Sequence, residues 1–137
     1  MKYELIDHTA DLGIRVFGSD PGDLFTTAAL AMFDQIIDVK ISSGDRKRRI
    51  RVTGSDWADL MVNWLRELLY LWTVRELLVA TVDILSITES KLSAEITTRA
   101  FDKALHPIKN EIKAVTYHQI NVVQSAAGWE AQVIFDI

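Results

Sequence analysis

Apolar residues recur every three to four positions in two long segments, and this spacing predicts two α-helices. The first helix begins at Asp20-Pro21, a good N-cap residue followed by proline at the first helical position, and its apolar face spans Leu24–Ile36. The second begins near Ser55-Asp56 and has a broad apolar face over Trp57–Trp72. The breadth of that face predicts that the second helix is the central helix of the core.

Most of the remaining apolar residues alternate with polar ones, which predicts β-strands. The predicted strands are centred on Tyr3 and Leu5, on Ile14 and Val16, and on Ile50 and Val52, and they span Leu78–Ile87, Lys91–Phe101, Ala114–Val123 and Trp129–Ile137. The last two form a predicted hairpin that turns at Ala127-Gly128. No internal repeat or Pro/Gly-rich linker divides the chain. We therefore expect one α+β domain over residues 1–137, a two-layer sandwich with a mixed or antiparallel sheet packed on two main helices.

Composition narrows the classes of function. The 137 residues include no cysteine, which excludes disulfides, thiolate zinc sites and cysteine nucleophiles. The formal net charge of −4 disfavours a general grip on a nucleic-acid backbone. Charged residues interrupt the longest apolar stretch, Leu60–Val79, and the N-terminus lacks a signal-peptide pattern. We expect a soluble, cytoplasmic protein with no membrane partner.

The two ends of the chain carry the candidate chemistry. Asp7-His8-Thr9-Ala10-Asp11 combines carboxylates, an imidazole and a hydroxyl, which suits either an oxygen-rich cation site or an ordinary turn. At the other end, Asp136 and the terminal carboxylate of Ile137 lie side by side on a predicted strand. Two like charges about 4 Å apart repel by roughly 4 kcal/mol at an effective dielectric constant near 20. Such a pair is solvent-exposed, partly protonated, or joined by a cation.

Lys113 is the third candidate. The alternation of the predicted strand places Lys113 and Tyr117 on one face, with Thr116 and His118 on the other. Lys113 would then bind a phosphate or a partner carboxylate, or it would simply be a lysine on an edge strand.

The basic run Arg46-Lys47-Arg48-Arg49, which continues to Arg51, is a weaker candidate for RNA contact. The alternative to RNA contact is that the run simply forms a solvent-exposed loop and strand edge. The chain has no phosphate-binding loop, dinucleotide fingerprint, zinc-protease helix or nucleophile elbow. A binding or accessory role is therefore favoured, and a metal-dependent hydrolase or nucleotidyl enzyme that uses the same carboxylates is the alternative.

Several short sequence motifs, which occur in order along nearly the whole chain, resemble those of the archease family. They are His8-Thr9-Ala10-Asp11 with Gly13-Ile14, Leu24-Phe25 with Ala28-Ala29 and Ala31-Met32-Phe33, Trp64 to Tyr70, Ile112 to His118, and the terminal Val133-Ile134-Phe135-Asp136-Ile137. The family usually has a Gly-Glu pair leading into an acidic, His-containing loop. Here the corresponding stretch is Arg99-Ala100-Phe101-Asp102, followed by His106-Pro107.

The resemblance implies an activator rather than an enzyme. Archeases assist the RtcB-type RNA ligase of tRNA splicing by promoting its guanylylation and multiple turnover, and a chaperone-like role toward a tRNA methyltransferase is the alternative. tRNA itself is a further candidate partner. Transferred residue by residue, the family's divalent-cation site would comprise Asp11, Asp136 and Ile137, with Asp7 and His8 in or near it. The expected ion is Ca²⁺, with Mg²⁺ or Mn²⁺ as alternatives, and Lys113 matches a position associated with activation.

Overall fold

The computed structural model describes residues 1–6 and 11–137, which form two helices and eight strands. In chain order they are β1 (Lys2–Ile6), β2 (Leu12–Gly18), α1 (Pro21–Ile36), β3 (Arg46–Thr53), α2 (Trp57–Arg75), β4 (Leu77–Ile87), β5 (Lys91–Ala100), β6 (Ala114–Val115), β7 (Asn121–Ser125) and β8 (Gly128–Asp136). No helix in these described ranges is long and apolar enough to cross a membrane.

The strands form two sheets, and every pairing between the described strands is antiparallel. The five-stranded sheet has the order β1-β2-β8-β6, and β7 also pairs with β8. The three-stranded sheet has the order β3-β5-β4. The predicted α+β class, with two main helices packed on antiparallel strands, is confirmed. The strands are divided between two sheets, which the alternation of the sequence did not indicate.

Each helix contacts both sheets, so the helices join them. α1 packs against β1, β2 and β8 of the larger sheet and against β4 of the smaller one. α2 packs against β6 and β7 on one side and against β3, β4 and β5 on the other. Apolar side chains from both sheets and both helices form one continuous buried cluster, which includes the fully buried Ile14, Phe25, Trp64 and Phe135. α2 therefore belongs to the core, as its broad apolar face predicted, and α1 contributes to the same core.

Both helices begin with the same local structure, built on Gly-Ser-Asp-x-x-Asp-Leu at residues 18–24 and again at 54–60. In the first copy, the N-cap carboxylate of Asp20 accepts a hydrogen bond from the Asp23 amide at 2.8 Å. The Asp23 carboxylate in turn accepts one from the Ser19 amide at 2.8 Å. The equivalent distances in the second copy are 2.8 and 2.9 Å. The predicted N-cap at Asp20 and the predicted start of the second helix near Ser55-Asp56 are confirmed. The prediction that the chain has no internal repeat is wrong at the scale of this short pattern.

The glycine that opens each copy is required by close packing. A Cβ atom on Gly18 would lie 2.5 Å from the amide nitrogen of Leu24, and one on Gly54 would lie 2.5 Å from that of Leu60. Both neighbours are backbone atoms at the start of a helix. Each strand can therefore turn directly into its helix only where the side chain is absent.

The strand predicted over Ala114–Val123 is wrong. β6 ends at Val115, and β7 starts only at Asn121. Between them the hydroxyl of Tyr117 donates a hydrogen bond to the carboxylate of Asp59 on α2, at 2.6 Å. That bond lowers the pKa of Asp59 and raises the pKa of Tyr117. Attachment to the helix draws this segment away from the path of the strand.

The turn predicted at the end of the chain is confirmed. β7 and β8 form a hairpin in which Ser125 pairs with Gly128, and Gly128 has a φ of 126°. A positive φ of this kind favours glycine because glycine has no Cβ atom.

Candidate metal centre at the end of the five-stranded sheet

The strand register brings Asp11 close to the C-terminus. β2 pairs with β8 up to Leu12 and Phe135, so Asp11, in the bend directly before β2, comes to the same end of the sheet as Asp136, the last residue of β8. On the other side of β8, Ala114 pairs with Asp136, and the amide of Lys113 donates to the carbonyl oxygen of Asp136 at 2.8 Å. Residues from three separate parts of the chain therefore meet at the end of β8. We call Asp11, Asp136 and Ile137 the acidic end of the sheet.

The side chain of Asp136 lies on the face of the sheet away from the core. Side chains alternate along a strand, and the preceding residue, Phe135, is fully buried on the core side. Asp136 is exposed, and Asp11, in the bend before β2, is partly exposed. Like charges held close together on neighbouring strands are destabilising. A cation between the two carboxylates would remove that repulsion, so this pair fits a divalent ion.

The ligand set that the sequence suggested is only partly described. Asp7 and His8 lie outside the described residues. In the remainder of the chain, no three side chains of His, Asp or Glu form a group that could hold a metal ion. A third anionic ligand would therefore be the terminal carboxylate of Ile137, a residue that is 45% exposed.

Lys113 adjoins the acidic end through its backbone, but it lies on the opposite face of the sheet. Its position faces α2, where it lines a shallow depression with Arg66, Tyr70 and Val115. Arg66 fixes this region, because its Nε donates to the carbonyl oxygen of Val115 at 3.1 Å. Its guanidinium carbon also lies 4.8 Å from the centre of the Tyr117 ring. The prediction that Lys113 and Tyr117 share a strand face is wrong, because no strand joins them. Sequence reasoning missed Arg66 and Tyr70, whose helical spacing marks only the exposed side of α2.

The basic run forms the start of β3, an edge strand of the smaller sheet. Ile50 is buried while Arg49 and Arg51 are exposed, so the predicted basic face is confirmed. RNA contact by Arg46, Lys47, Arg48 and Arg49 stays a prediction.

Arg48 differs from its neighbours in pointing to the inner side of β3. Its Nε donates to the hydroxyl of the buried Thr98 at 3.1 Å. Desolvation lowers the pKa of Arg48, and the positive charges of Arg46 and Arg75 lower it further. Positive charge is thus concentrated where β3 starts and α2 ends.

The fold and this site define a small α+β protein with Asp11 and Asp136 at an exposed end of its larger sheet. Residues 3–137 match the family model described as the Archease protein family (MTH1598/TM1083). The chain therefore belongs to the archease family, as the short sequence motifs indicated.

Relatives and solved structures agree with this assignment. The chain is 42% identical to the archease of Methanosarcina barkeri over 140 aligned positions, covering 99% of this chain and 96% of that protein. It is 34% identical to the archease of Pyrococcus abyssi, covering 99% of both. The solution structure of Methanobacterium thermoautotrophicum protein 1598 matches with a TM-score of 0.80 at 29% identity, over 98% of both chains. A crystal structure from Thermotoga maritima, described as an archease and possible chaperone, shares the fold with a TM-score of 0.64 at 18% identity, over 100% of this chain and 98% of that one.

Proposed function

We propose that this protein activates an RtcB-type tRNA-splicing RNA ligase by promoting guanylylation of the ligase and its multiple turnover. The observation that carries the proposal is the pairing of Leu12 with Phe135, which brings Asp11 and Asp136 to the same exposed end of β8. The class of partner is inferred from the resemblance to archeases. The acidic end is the part of the molecule that would work on that partner.

In this proposal Asp11, Asp136 and the terminal carboxylate of Ile137 hold one divalent cation. Carboxylate oxygens suit Ca²⁺, Mg²⁺ or Mn²⁺ rather than zinc, and we expect Ca²⁺. The bound ion would neutralise the carboxylates and supply a positive charge at the point of contact with the ligase. Because the acidic end is exposed at Asp136 and Ile137, it can approach a pocket without any change in the core.

Lys113 would make a separate contact. It is exposed, and it lies on the helix side of the sheet beside Arg66. A phosphate or carboxylate of the partner would pair with its ammonium group. The two faces of the same sheet end would thus contact the ligase on either side of β8.

The test measures guanylylation of a purified RtcB-type ligase with labelled GTP, with and without this protein. We expect Asp11→Asn, Asp136→Asn and deletion of Ile137 to abolish the stimulation while thermal unfolding stays cooperative. The matched control is Asp83→Asn, which removes the same charge from an exposed position of β4. Stimulation by the three acidic-end variants at the wild-type level would overturn the proposal.

The same samples separate the alternative functions. Turnover of RNA or nucleoside triphosphates by this protein alone, without any ligase, would identify a metal-dependent enzyme. Rescue of a tRNA methyltransferase from aggregation, without ligase stimulation, would instead identify a chaperone. Calorimetric titration with Ca²⁺, Mg²⁺ and Mn²⁺ tests the cation directly, and loss of binding in Asp11→Asn but not in Asp83→Asn is expected.

A further inference from the structure

A second candidate site shares no residue with the acidic end. It is a depression of about 280 Å³ between the loop that follows α1 and the end of β5. Its lining comprises Val39, Lys40, Ile41, Ser42, Ser43, Arg99, Leu105 and His106. The lining therefore contains two positive charges, two hydroxyl groups and an imidazole, with no carboxylate. This combination favours an anion.

Arg99 fixes the shape of the depression. Its Nε donates to the carbonyl oxygen of Ser43 at 3.0 Å, and its Nη2 donates to the hydroxyl of Ser43 at 3.2 Å. These two bonds hold the loop against the end of β5. The guanidinium has five N–H groups, so other donors are available to a ligand.

His106 supplies a buried donor. It is only 6% exposed, and its Nδ1 accepts a hydrogen bond from the amide of Asp102 at 2.8 Å. The ring proton of the neutral imidazole therefore resides on Nε2. Within residues 1–6 and 11–137, no hydrogen-bond partner contacts Nε2. A buried N–H group without a partner is costly, and His106 lines both this depression and the neighbouring one, so an acceptor bound beside its ring would satisfy it.

Within the described part of the chain, the absence of acidic lining residues distinguishes this depression from the neighbouring one. His106 and Arg99 also line a second hollow, but there Asp45 and Asp102 contribute carboxylates beside Lys103. Negative charges on that side would repel an anion. Lys40 lies on the other side, where none of the lining residues is acidic.

We propose that the depression lined by Lys40 and His106 binds a phosphate group. The ammonium group of Lys40, the guanidinium of Arg99, the hydroxyl of Ser42 and Nε2 of His106 are its donors. A phosphate monoester carries a charge of about −1.5 to −2 at pH 7. Two cations therefore balance the charge of a phosphate monoester better than the single charge of a carboxylate. The phosphate group could belong to a free ester or nucleotide, or to an RNA backbone.

The exposed face beside the depression suggests how RNA would continue from it. Arg99 and Thr97 lie on the outer face of β5, and Thr97 pairs with Lys47 of the edge strand. Arg49 and Arg51 continue the row at every second position of β3. The acidic group directly within this row is Glu95, which lies opposite Arg49 and 3.9 Å from the ammonium group of Lys47. The row therefore retains net positive charge despite the acidic chain.

The first experiment titrates the ¹⁵N-labelled protein with inorganic phosphate, against sodium chloride of equal ionic strength. We expect NMR shifts at Ser42, Ser43, Arg99 and the imidazole of His106. Lys40→Gln should weaken phosphate binding about tenfold, the loss expected for one charged hydrogen bond. Lys103→Gln is the matched control, because it removes the same charge from the neighbouring hollow only.

A pair of variants isolates the role of His106. In His106→Asn the new side-chain oxygen takes the place of Nδ1 and can still accept the hydrogen bond from the Asp102 amide, but no N–H remains in the place of Nε2. In His106→Gln an N–H remains in the place of Nε2. We expect phosphate binding to be lost in the first and partly retained in the second. Equal weakening by Lys40→Gln and Lys103→Gln, or no phosphate-dependent shift around the depression, would overturn the proposal.

The second experiment identifies the source of the phosphate group. Binding of a short fluorescent RNA is measured at low salt, with the triple variant Lys47→Gln, Arg49→Gln, Arg51→Gln. If RNA is the ligand, the triple variant weakens RNA binding but leaves inorganic phosphate unaffected, while Lys40→Gln weakens both. Phosphate binding without RNA binding would support the site for a small ester. Neither outcome depends on the ligase, so this test is independent of the guanylylation assay.

Discussion

The glycine at the start of each helix gives the sharpest prediction about stability. In Gly18→Ala the added methyl group would lie 2.5 Å from the amide nitrogen and 2.7 Å from the Cα of Leu24. Contacts between a real Cβ and other heavy atoms are almost never closer than 3.0 Å. The obstructing atoms are backbone atoms, so rotating a side chain cannot relieve the contact. The start of α1 must move, and its N-cap hydrogen bonds move with it.

The expected change in the free energy of unfolding combines two opposing effects. Overpacking of this kind costs about 1–3 kcal/mol, and each disturbed N-cap adds about 1 kcal/mol. Reduced freedom of the unfolded chain returns about 0.4–1 kcal/mol. We expect a net loss of about 2 kcal/mol in the free energy of unfolding, which for a domain of this size lowers Tm by roughly 5–10 °C.

The assay is thermal and urea unfolding followed by circular dichroism. Gly22→Ala is the comparison variant, because its nearest contact, the N-cap oxygen Oδ1 of Asp20, lies at 3.3 Å and must shift by only a few tenths of an ångström, while alanine favours the helix. We therefore expect a smaller loss of stability for Gly22→Ala than for Gly18→Ala. Gly54→Ala should lower Tm about as much as Gly18→Ala, since Leu60 is approached at the same distance. A wild-type unfolding temperature for Gly18→Ala, or an equal loss of stability in Gly22→Ala, would contradict this prediction.

Three further predictions concern buried or half-buried hydrogen bonds. Tyr3→Phe should cost about 1 kcal/mol in urea unfolding, because the Tyr3 hydroxyl donates to Asp34 and accepts from Gln35 at 2.8 Å. Burial, with the bond to Asp34, raises the pKa of Tyr3 to about 12. Because the folded pKa exceeds the unfolded value, this stabilisation should be complete below pH 10 and lost between pH 10 and 12, and ultraviolet titration should lack its last phase in Tyr3→Phe. Trp64→Phe should cost about 2 kcal/mol, because it removes buried volume and the bond from Nε1 to the carbonyl oxygen of Phe25 at 3.0 Å; an unchanged urea midpoint would contradict this.

Both helices and most strands could be predicted because their signals are local. Asp20 and Asp56 cap helices through amides only three residues away, and alternation identifies β2, β3, β5 and β8 one residue at a time. The break after Val115 could not be predicted, since it depends on the bond between Tyr117 and Asp59, 58 residues apart in sequence. An apolar pattern carries no information about such a partner.

The candidate sites also depend partly on local sequence and partly on contacts between distant residues. The sequence by itself determined which side chains carry chemistry: the carboxylates near both ends, Lys113 and the basic run on β3. Only the tertiary structure decided that Asp11 and Asp136 meet at one end of the sheet, because register is set by the pairing of β2 with β8. It also assigned Lys113 to the other face of the sheet and placed His106 beside Lys40. Residue type is local, but proximity between distant residues depends on which strands pair and where the chain turns.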